Sequence, residues 1–405
     1  MIHPTQIRVT GPLQELAPGF ANKLLQQGYK QNSARSQMRL MAHLSRWLSH
    51  EGLSVDKLCT IAVERFLSSR RAAGHKNHRS SKAMQPMLGY LRKLGVVPLP
   101  PISLPEGPVE VMLARFRRYL WVERGLVSTT ICGYVHAVRP FLHVRLSGGG
   151  NDLDFEHLST ADITDFVVER CNQQSPGAAR MTVVGLRSLL GFLHVEGMIK
   201  QPLVAAVPSV AGRRLMGLPK GLEPAQVRRL LASCDRRTRF GRRDFAILIL
   251  LVRLGLRIGE VAALEFGDID WRSGEIVVHG KGKRAERMPL PTDVGEAVVT
   301  YLQRARPKNA EDRAVFVRIR APHHALSKGG VAQVVYSAAQ RAGLAHIHPH
   351  QLRHTAATEL LRTGASLPEV GQFLRHRDLV TTAIYAKVDR ESLRTITRPW
   401  PGGVA

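Results

Sequence analysis

Four short stretches toward the C-terminal end of the sequence hold side chains able to grip a phosphate and move protons around it. In the first, Leu254-Gly-Leu-Arg-Ile-Gly-Glu260, Arg257 and Glu260 stand three apart in an apolar stretch with helical spacing. A guanidinium in such surroundings needs a partner, and Glu260 falls on the same helix face. The second, Gly280-Lys-Gly-Lys283, sets Lys281 between glycines at a hairpin turn. The third, His346-Ile-His-Pro-His-Gln-Leu-Arg-His354, places His350 and Arg353 on one helix face, with Pro349 where a helix begins. The fourth joins Leu374-Arg375-His376 to Tyr385, nine residues beyond the histidine.

Alone, each stretch has an ordinary structural explanation: an ion pair, a solvated lysine, a packed tyrosine. A zinc site built from His346, His348 and His350 is a further reading. The fixed charge of Arg353 and the lack of a neighbouring Cys or carboxylate ligand weigh against it. Together the stretches describe one site. Two arginines offer forked donors to phosphate oxygens and to the charge that builds on them. Two histidines and a lysine can carry protons, and the tyrosine hydroxyl can attack phosphorus. With a free pKa near 10, that hydroxyl needs a base or nearby cations to react at neutral pH. No carboxylate cluster suited to magnesium accompanies these residues, and no phosphate loop for a nucleoside triphosphate occurs. The chemistry expected is covalent transesterification of a phosphodiester, with no cofactor and no metal.

The elements that must position these groups follow from hydrophobic spacing. Residues 225–234 and 243–265 are predicted helical; 275–279 and 287–290 are predicted to pair as a hairpin around 280–283. Further helices are predicted at 293–305, 329–342, 350–363, 367–375 and 379–386. Upstream, Leu40, Leu44, Trp47 and Leu48 repeat as Tyr134, Val138, Phe141 and Leu142, a constant 94 residues later. Residues 63–67 are likewise answered by 163–167, so two copies of a small helical bundle are expected. Five prolines between Pro98 and Pro108, and a second stretch from Pro202 to Pro219, read as linkers. Gly148–Gly150 reads as a loop inside the second bundle.

Composition narrows the partners. The 405 residues carry 58 Lys and Arg against 32 Asp and Glu, a surplus of 26 that favours a polyanion. The surplus is uneven: +11 over residues 1–104, +2 over 105–218 and +13 over 219–405. Aromatic residues make up only 6%, which disfavours stacking on single strands and leaves duplex DNA. The longest strongly apolar run, Phe245–Val252, is too short for a bilayer span, and the N-terminus lacks a signal-peptide pattern, so a cytoplasmic, nucleoid-associated protein without a membrane partner is expected. Cys59, Cys132, Cys171 and Cys234 are scattered, which predicts neither a disulfide scaffold nor a Cys-rich zinc site.

The order Arg257, Lys281, His350, Arg353, His376, Tyr385, spaced by 24 residues at the start and by 23 and 9 at the end, resembles the tyrosine recombinases, the phage integrase, Xer and Cre family. Glu260 falls on the acidic position that supports the first arginine. The likeness is close over 225–390 and weaker over 105–205, which is similar to the family's core-binding domain. It departs at Arg375, where the family usually has glycine, and in the basic bundle over residues 1–100. The resemblance implies a mainly α fold with a small β-hairpin or sheet. It divides into an N-terminal helical DNA-binding or assembly domain (1–97), a helical SAM-like core-binding domain (105–207) and an α+β catalytic domain (218–405). It further implies that Tyr385 forms a 3′-phosphotyrosyl link, that Arg257 and Arg353 clamp the phosphate, and that Lys281 protonates the leaving 5′-oxygen. His350 would accept the tyrosine proton and His376 assist at the phosphate. The implied partners are double-stranded recombination sites, a homotetramer assembled on DNA and other recombinases of the same mobile element. A type IB topoisomerase-like strand transferase and a non-enzymatic DNA-binding regulator are the alternative readings.

Overall fold

The computed structural model describes residues 4–99, 105–146, 152–210, 221–280 and 284–376, together with Thr382 and Tyr385. Lys281 and the loop at Gly148–Gly150 lie outside these, as does most of the helix predicted at 379–386. The chain divides into two compact units, one from Met1–Pro100 with Leu215–Ala405, the other from Pro101–Arg214. Among the described residues it is mainly α, with a single three-stranded antiparallel sheet.

Residues 4–99 contain α1 (Ala17–Gln26), α2 (Gln31–His50), α3 (Thr60–Ala72) and α4 (Ser81–Lys93). Their apolar stripes meet in a core that includes Phe20, Leu24, Met38, Leu44, Phe66 and Leu88. The repeat residues Leu40, Leu44 and Leu48 are buried as their helical spacing predicts.

The second unit also holds four helices: α5 (Pro108–Val122), α6 (Ser128–Val144), α7 (Thr160–Asn172) and α8 (Pro176–Val195). Ser159 starts α7 through a capping box with Asp162, and the Ser175 hydroxyl accepts from the Ala178 amide to start α8. By length and composition α8 could cross a bilayer, but half of its apolar window is buried in this unit, where Leu186, Leu189, Leu190 and Leu193 form the core. Its apolar character is accounted for by packing.

The remaining elements carry the predicted site. They are α9 (Pro224–Ala232), α10 (Arg239–Arg253), α11 (Ile258–Ala263), β1 (Ile269–Asp270), β2 (Glu275–His279), β3 (Ala285–Pro289), α12 (Thr292–Arg304), α13 (Lys328–Arg341), α14 (Pro349–Arg362) and α15 (Leu367–Phe373). From Phe245 to Val252 helix α10 is apolar all round, with Ile247, Leu248, Leu250 and Leu251 fully buried among α12, α13 and α14. Each such side chain is worth about 1.5–3 kcal/mol of burial, which makes α10 the axis of this core. The sheet runs β1-β2-β3, with Ile276 opposite Met288 and His279 opposite Ala285. Two-residue β1 carries too little pattern to be seen in the sequence.

One predicted element is corrected. Residues 243–265 do not form a single helix: α10 ends at Arg253, the chain turns, and α11 begins at Ile258. Gly255 takes φ +56°, a left-handed conformation that ends helices and favours glycine. Arg257 therefore sits just before α11 in extended backbone, not on a continuous helix face. Ala at Gly255 would meet Leu374 Cδ2 at 3.1 Å and carry a strained φ. Gly255→Ala is expected to lower unfolding stability by about 1–2 kcal/mol, read from urea midpoints; an unchanged midpoint would show that the turn tolerates a side chain.

Candidate active site

The turn between α10 and α11 brings Arg257 and Glu260 against α14 and the end of α15. Glu260 is buried, and its Oε1 accepts from Arg257 Nη1 at 2.6 Å. Its Oε2 accepts from the Arg257 backbone amide at 2.8 Å and from Arg375 Nη2 at 3.0 Å. Arg353, on the buried side of α14, is 3% exposed; its Nη1 donates to the Gly255 carbonyl at 2.5 Å and its Nη2 to the Leu374 carbonyl. That one side chain thus ties the α10–α11 turn to the residues after α15. Two guanidiniums, those of Arg257 and Arg375, thus share the Glu260 carboxylate, with Arg353 close by. Burial, with the nearby Arg257 and Arg375 charges, brings the Arg353 pKa down to about 9. Burial also opposes ionisation of Glu260, but the Arg257 amide and the Arg375 and Arg257 charges outweigh it and hold the carboxyl below its usual range.

Helix α14 begins where the sequence predicts. Pro349 opens it, and the Gln351 side chain accepts from the His348 amide at 2.8 Å. Its first two turns present His350, Arg353 and His354. Tyr385 is 2% exposed, and its hydroxyl lies 2.7 Å from His354 Nδ1. Burial pushes the tyrosine up to about 12, with Arg353 opposing the shift, so the hydroxyl is protonated at neutral pH. Burial also lowers His354, aided by His350 and Arg353. A neutral His354 carrying its proton on Nε2 accepts the tyrosine hydrogen bond. His376 lies nearly parallel to the Tyr385 ring at 6.4 Å, and its Nδ1 is 2.9 Å from the Thr382 hydroxyl. Burial and the Arg353 and Arg257 charges lower its pKa to about 4.

A cleft of about 780 Å³ opens beside this cluster, lined by Arg257, Arg353, His350, Lys328 and Gly280 among others. Gly280, the neighbour of Lys281, brings the hairpin to its edge. Of the six residues singled out in the sequence, Arg257, His350 and Arg353 line the cleft, while His376 and Tyr385 pack around Arg353 and His354. Lys281 lies outside the described residues. Two neighbours were not singled out: Lys328, and His354 as the partner of Tyr385. The only sequence signal for His354 is its place one helical turn after His350. Of the three histidines of the zinc reading, His346 and His348 meet edge-on, with His346 stacked on Tyr336 at 5.1 Å, whereas His350 lies beside His354. Among the described residues, no group of three or more His, Cys, Asp or Glu side chains could hold a metal.

The depressed histidines link stability to pH. The unfolded chain protonates His354 and His376 near their ordinary pKa of about 6.5, whereas the folded chain resists. Their contribution is therefore complete above that value and is lost as the pH falls, for His376 through about 4. Urea midpoints are expected to drop between pH 7.5 and 4.5, and less steeply in His376→Gln. Equal slopes in the two proteins would remove His376 from this linkage.

Comparison with known proteins agrees with this architecture. Residues 220–392 match the phage integrase family, and residues 113–197 match the SAM-like N-terminal domain of phage integrases. The integrase/recombinase y4rA of Sinorhizobium fredii is 39% identical over 97% of this chain and 95% of its own length. The tyrosine recombinase XerC of Bacillus pumilus is 34% identical over 69% of this chain and 92% of its own. Two solved structures share the fold. One is XerH bound to a palindromic difH substrate (TM-score 0.58, 19% identity, 72% of this chain and 96% of that one). The other is a lambda integrase tetramer on a Holliday junction (TM-score 0.54, 17% identity, 85% and 90%). Sharing at least 34% identity with y4rA and XerC over almost their full lengths, the chain belongs to the phage integrase family of tyrosine-type site-specific recombinases.

Proposed function

We propose that this recombinase cuts and rejoins duplex DNA through a 3′-phosphotyrosyl intermediate on Tyr385. The observation that carries the reading is the convergence of the Tyr385 hydroxyl, the His354 ring and the Arg353 guanidinium beside a cleft that Arg257 also lines. Arg257 and Arg353 hold the scissile phosphate in that cleft. The Tyr385 oxygen attacks phosphorus, the bond to the 5′-oxygen breaks, and Lys281 delivers a proton to the departing oxygen. The tyrosine proton passes to His354, with His350, 6.2 Å away ring to ring, as the outlet to the cleft. His376 assists at the phosphate. Because Tyr385 is buried and its pKa is high, the hydroxyl is inert until it moves toward bound DNA. The phosphotyrosine conserves the bond energy, so rejoining needs no nucleotide.

Residues 105–207 and 218–405 would grip the duplex as core-binding and catalytic domains. The bundle at 1–97 adds a further DNA-binding or assembly surface. Its +11 charge supports the first role, and the y4rA relative, unlike XerC, matches nearly the whole chain. We read the protein as a recombinase of a mobile element, assembling as a tetramer on paired duplex sites, alone or with other recombinases of that element, in the nucleoid.

A nicked suicide duplex, selected from a random-sequence pool by covalent capture on the wild-type protein, tests this reading. Tyr385→Phe removes one oxygen and is expected to abolish capture while sparing DNA affinity; adducts that persist would assign the nucleophile elsewhere. Lys281→Ala is expected to slow cleavage by about 10²–10⁴-fold, the usual size of a general-acid contribution. A duplex with sulfur at the bridging 5′ position has a leaving group that needs no proton and should restore the rate. An equal defect on that duplex would make Lys281 a phosphate ligand.

A further inference from the structure

We propose that Arg375 is a positioning residue of the phosphate clamp, acting through its shared hold on Glu260 to keep the guanidinium of Arg257 available to the scissile phosphate. This rests on the reading of Arg257 and Arg353 as that clamp.

Backbone strain is the first observation. Arg375 has φ +54°, and among the described non-glycine residues only His78 also has a positive φ. A side chain there carries backbone strain that glycine would avoid. Environment is the second. The Arg375 side chain is only 5% exposed and lies among the charges of Glu260, Arg257, Glu286 and Arg353, with its Nε buried and unpaired. For stability alone, a small neutral residue would serve better. Strain retained in this way at a reactive cluster points to function.

The geometry supplies the function. Glu260 is split between two guanidiniums, with Oε1 on Arg257 and Oε2 on Arg375. Without Arg375, Oε2 keeps only the Arg257 amide, and the undivided carboxylate charge would draw the Arg257 guanidinium toward Glu260 and away from the cleft. Charge leads to the same conclusion. Three guanidiniums and Lys328, less Glu260 and the Glu286 carboxylate that also acts on Arg375, leave two positive charges, Lys281 aside. A phosphodiester carries one negative charge, and the five-coordinate species formed when a tyrosinate adds to it carries two. Arg375 therefore matters more to the transition state than to bound DNA. Its Nη1 also touches Met288 Sδ on β3 at 3.2 Å, so an effect through the Lys281 hairpin must be separated from one through Glu260.

The experiment compares single-turnover cleavage of the selected suicide duplex, at saturating protein, by wild type, Arg375→Gly, Arg375→Asn and Arg375→Lys. Glycine and asparagine tolerate the left-handed backbone, and lysine keeps the charge. The expected result is a loss of about 10- to 100-fold for Gly and Asn, unchanged duplex affinity, and recovery to within a few-fold of wild type for Lys. The loss should persist on the bridging-sulfur duplex. Cleavage by Arg375→Gly within twofold of wild type would overturn the proposal. So would sulfur rescue, which would place the effect on the Lys281 hairpin, or equal loss in all three variants with lowered melting temperatures, which would make Arg375 a packing residue. Failure of the wild type to form any Tyr385 adduct would instead overturn the reading of the reaction itself.

Discussion

Much of the catalytic region depends on the burial of Arg353. A guanidinium taken out of water is tolerable only when its donors are met and its charge is answered. Its donors reach the Gly255 and Leu374 carbonyls, so the turn after α10 and the end of α15 are held by one side chain. Its charge is answered only in part, because Glu260 is shared with Arg257 and Arg375. Burial, and after it the excess positive charge, weakens the protein's hold on the Arg353 proton, and that excess leaves the cluster complementary to an anion. Arg353 is thus a structural keystone, and on the proposed reading the same buried charge makes it a phosphate ligand.

The same burial sets the resting state of Tyr385, the nucleophile on the proposed reading. Tyr385 lies against His354 with its hydroxyl protonated and shielded, while His354 and His376 are both biased toward neutrality. A nucleophile kept in this way does not attack stray phosphates or water-borne electrophiles. Activation then requires moving the hydroxyl from a low-dielectric pocket into the field of the arginines, where the phenolate is better stabilised.

Around this site the fold divides its labour by charge as well as by packing. Helix α10 anchors the catalytic core through apolar contacts, while the central helical unit is nearly neutral. The basic surplus lies in the first hundred residues and in the region that carries the site. Charge able to attract a polyanion therefore lies both in the first hundred residues and in the region of the site itself, with little between them.

What the sequence determines by itself is local and periodic. The helices at Pro224–Ala232, Thr292–Arg304, Lys328–Arg341 and Pro349–Arg362, the β2–β3 hairpin and the family membership are all legible in spacing and order, because periodicity and turn chemistry act over a few neighbouring residues. The break at Gly255 is not, since an apolar helical pattern runs through it and a glycine does not announce a positive φ. Nor is the partnership of His354 with Tyr385, 31 residues apart, or the sharing of Glu260 with Arg375 across 115 residues. Those depend on which remote segments are pressed together and how much water is excluded between them. Residue types and order specify that a phosphate can be attacked. Tertiary packing alone decides which histidine meets the tyrosine and which arginine is left free, because hydrogen bonds and desolvation act through distance in space.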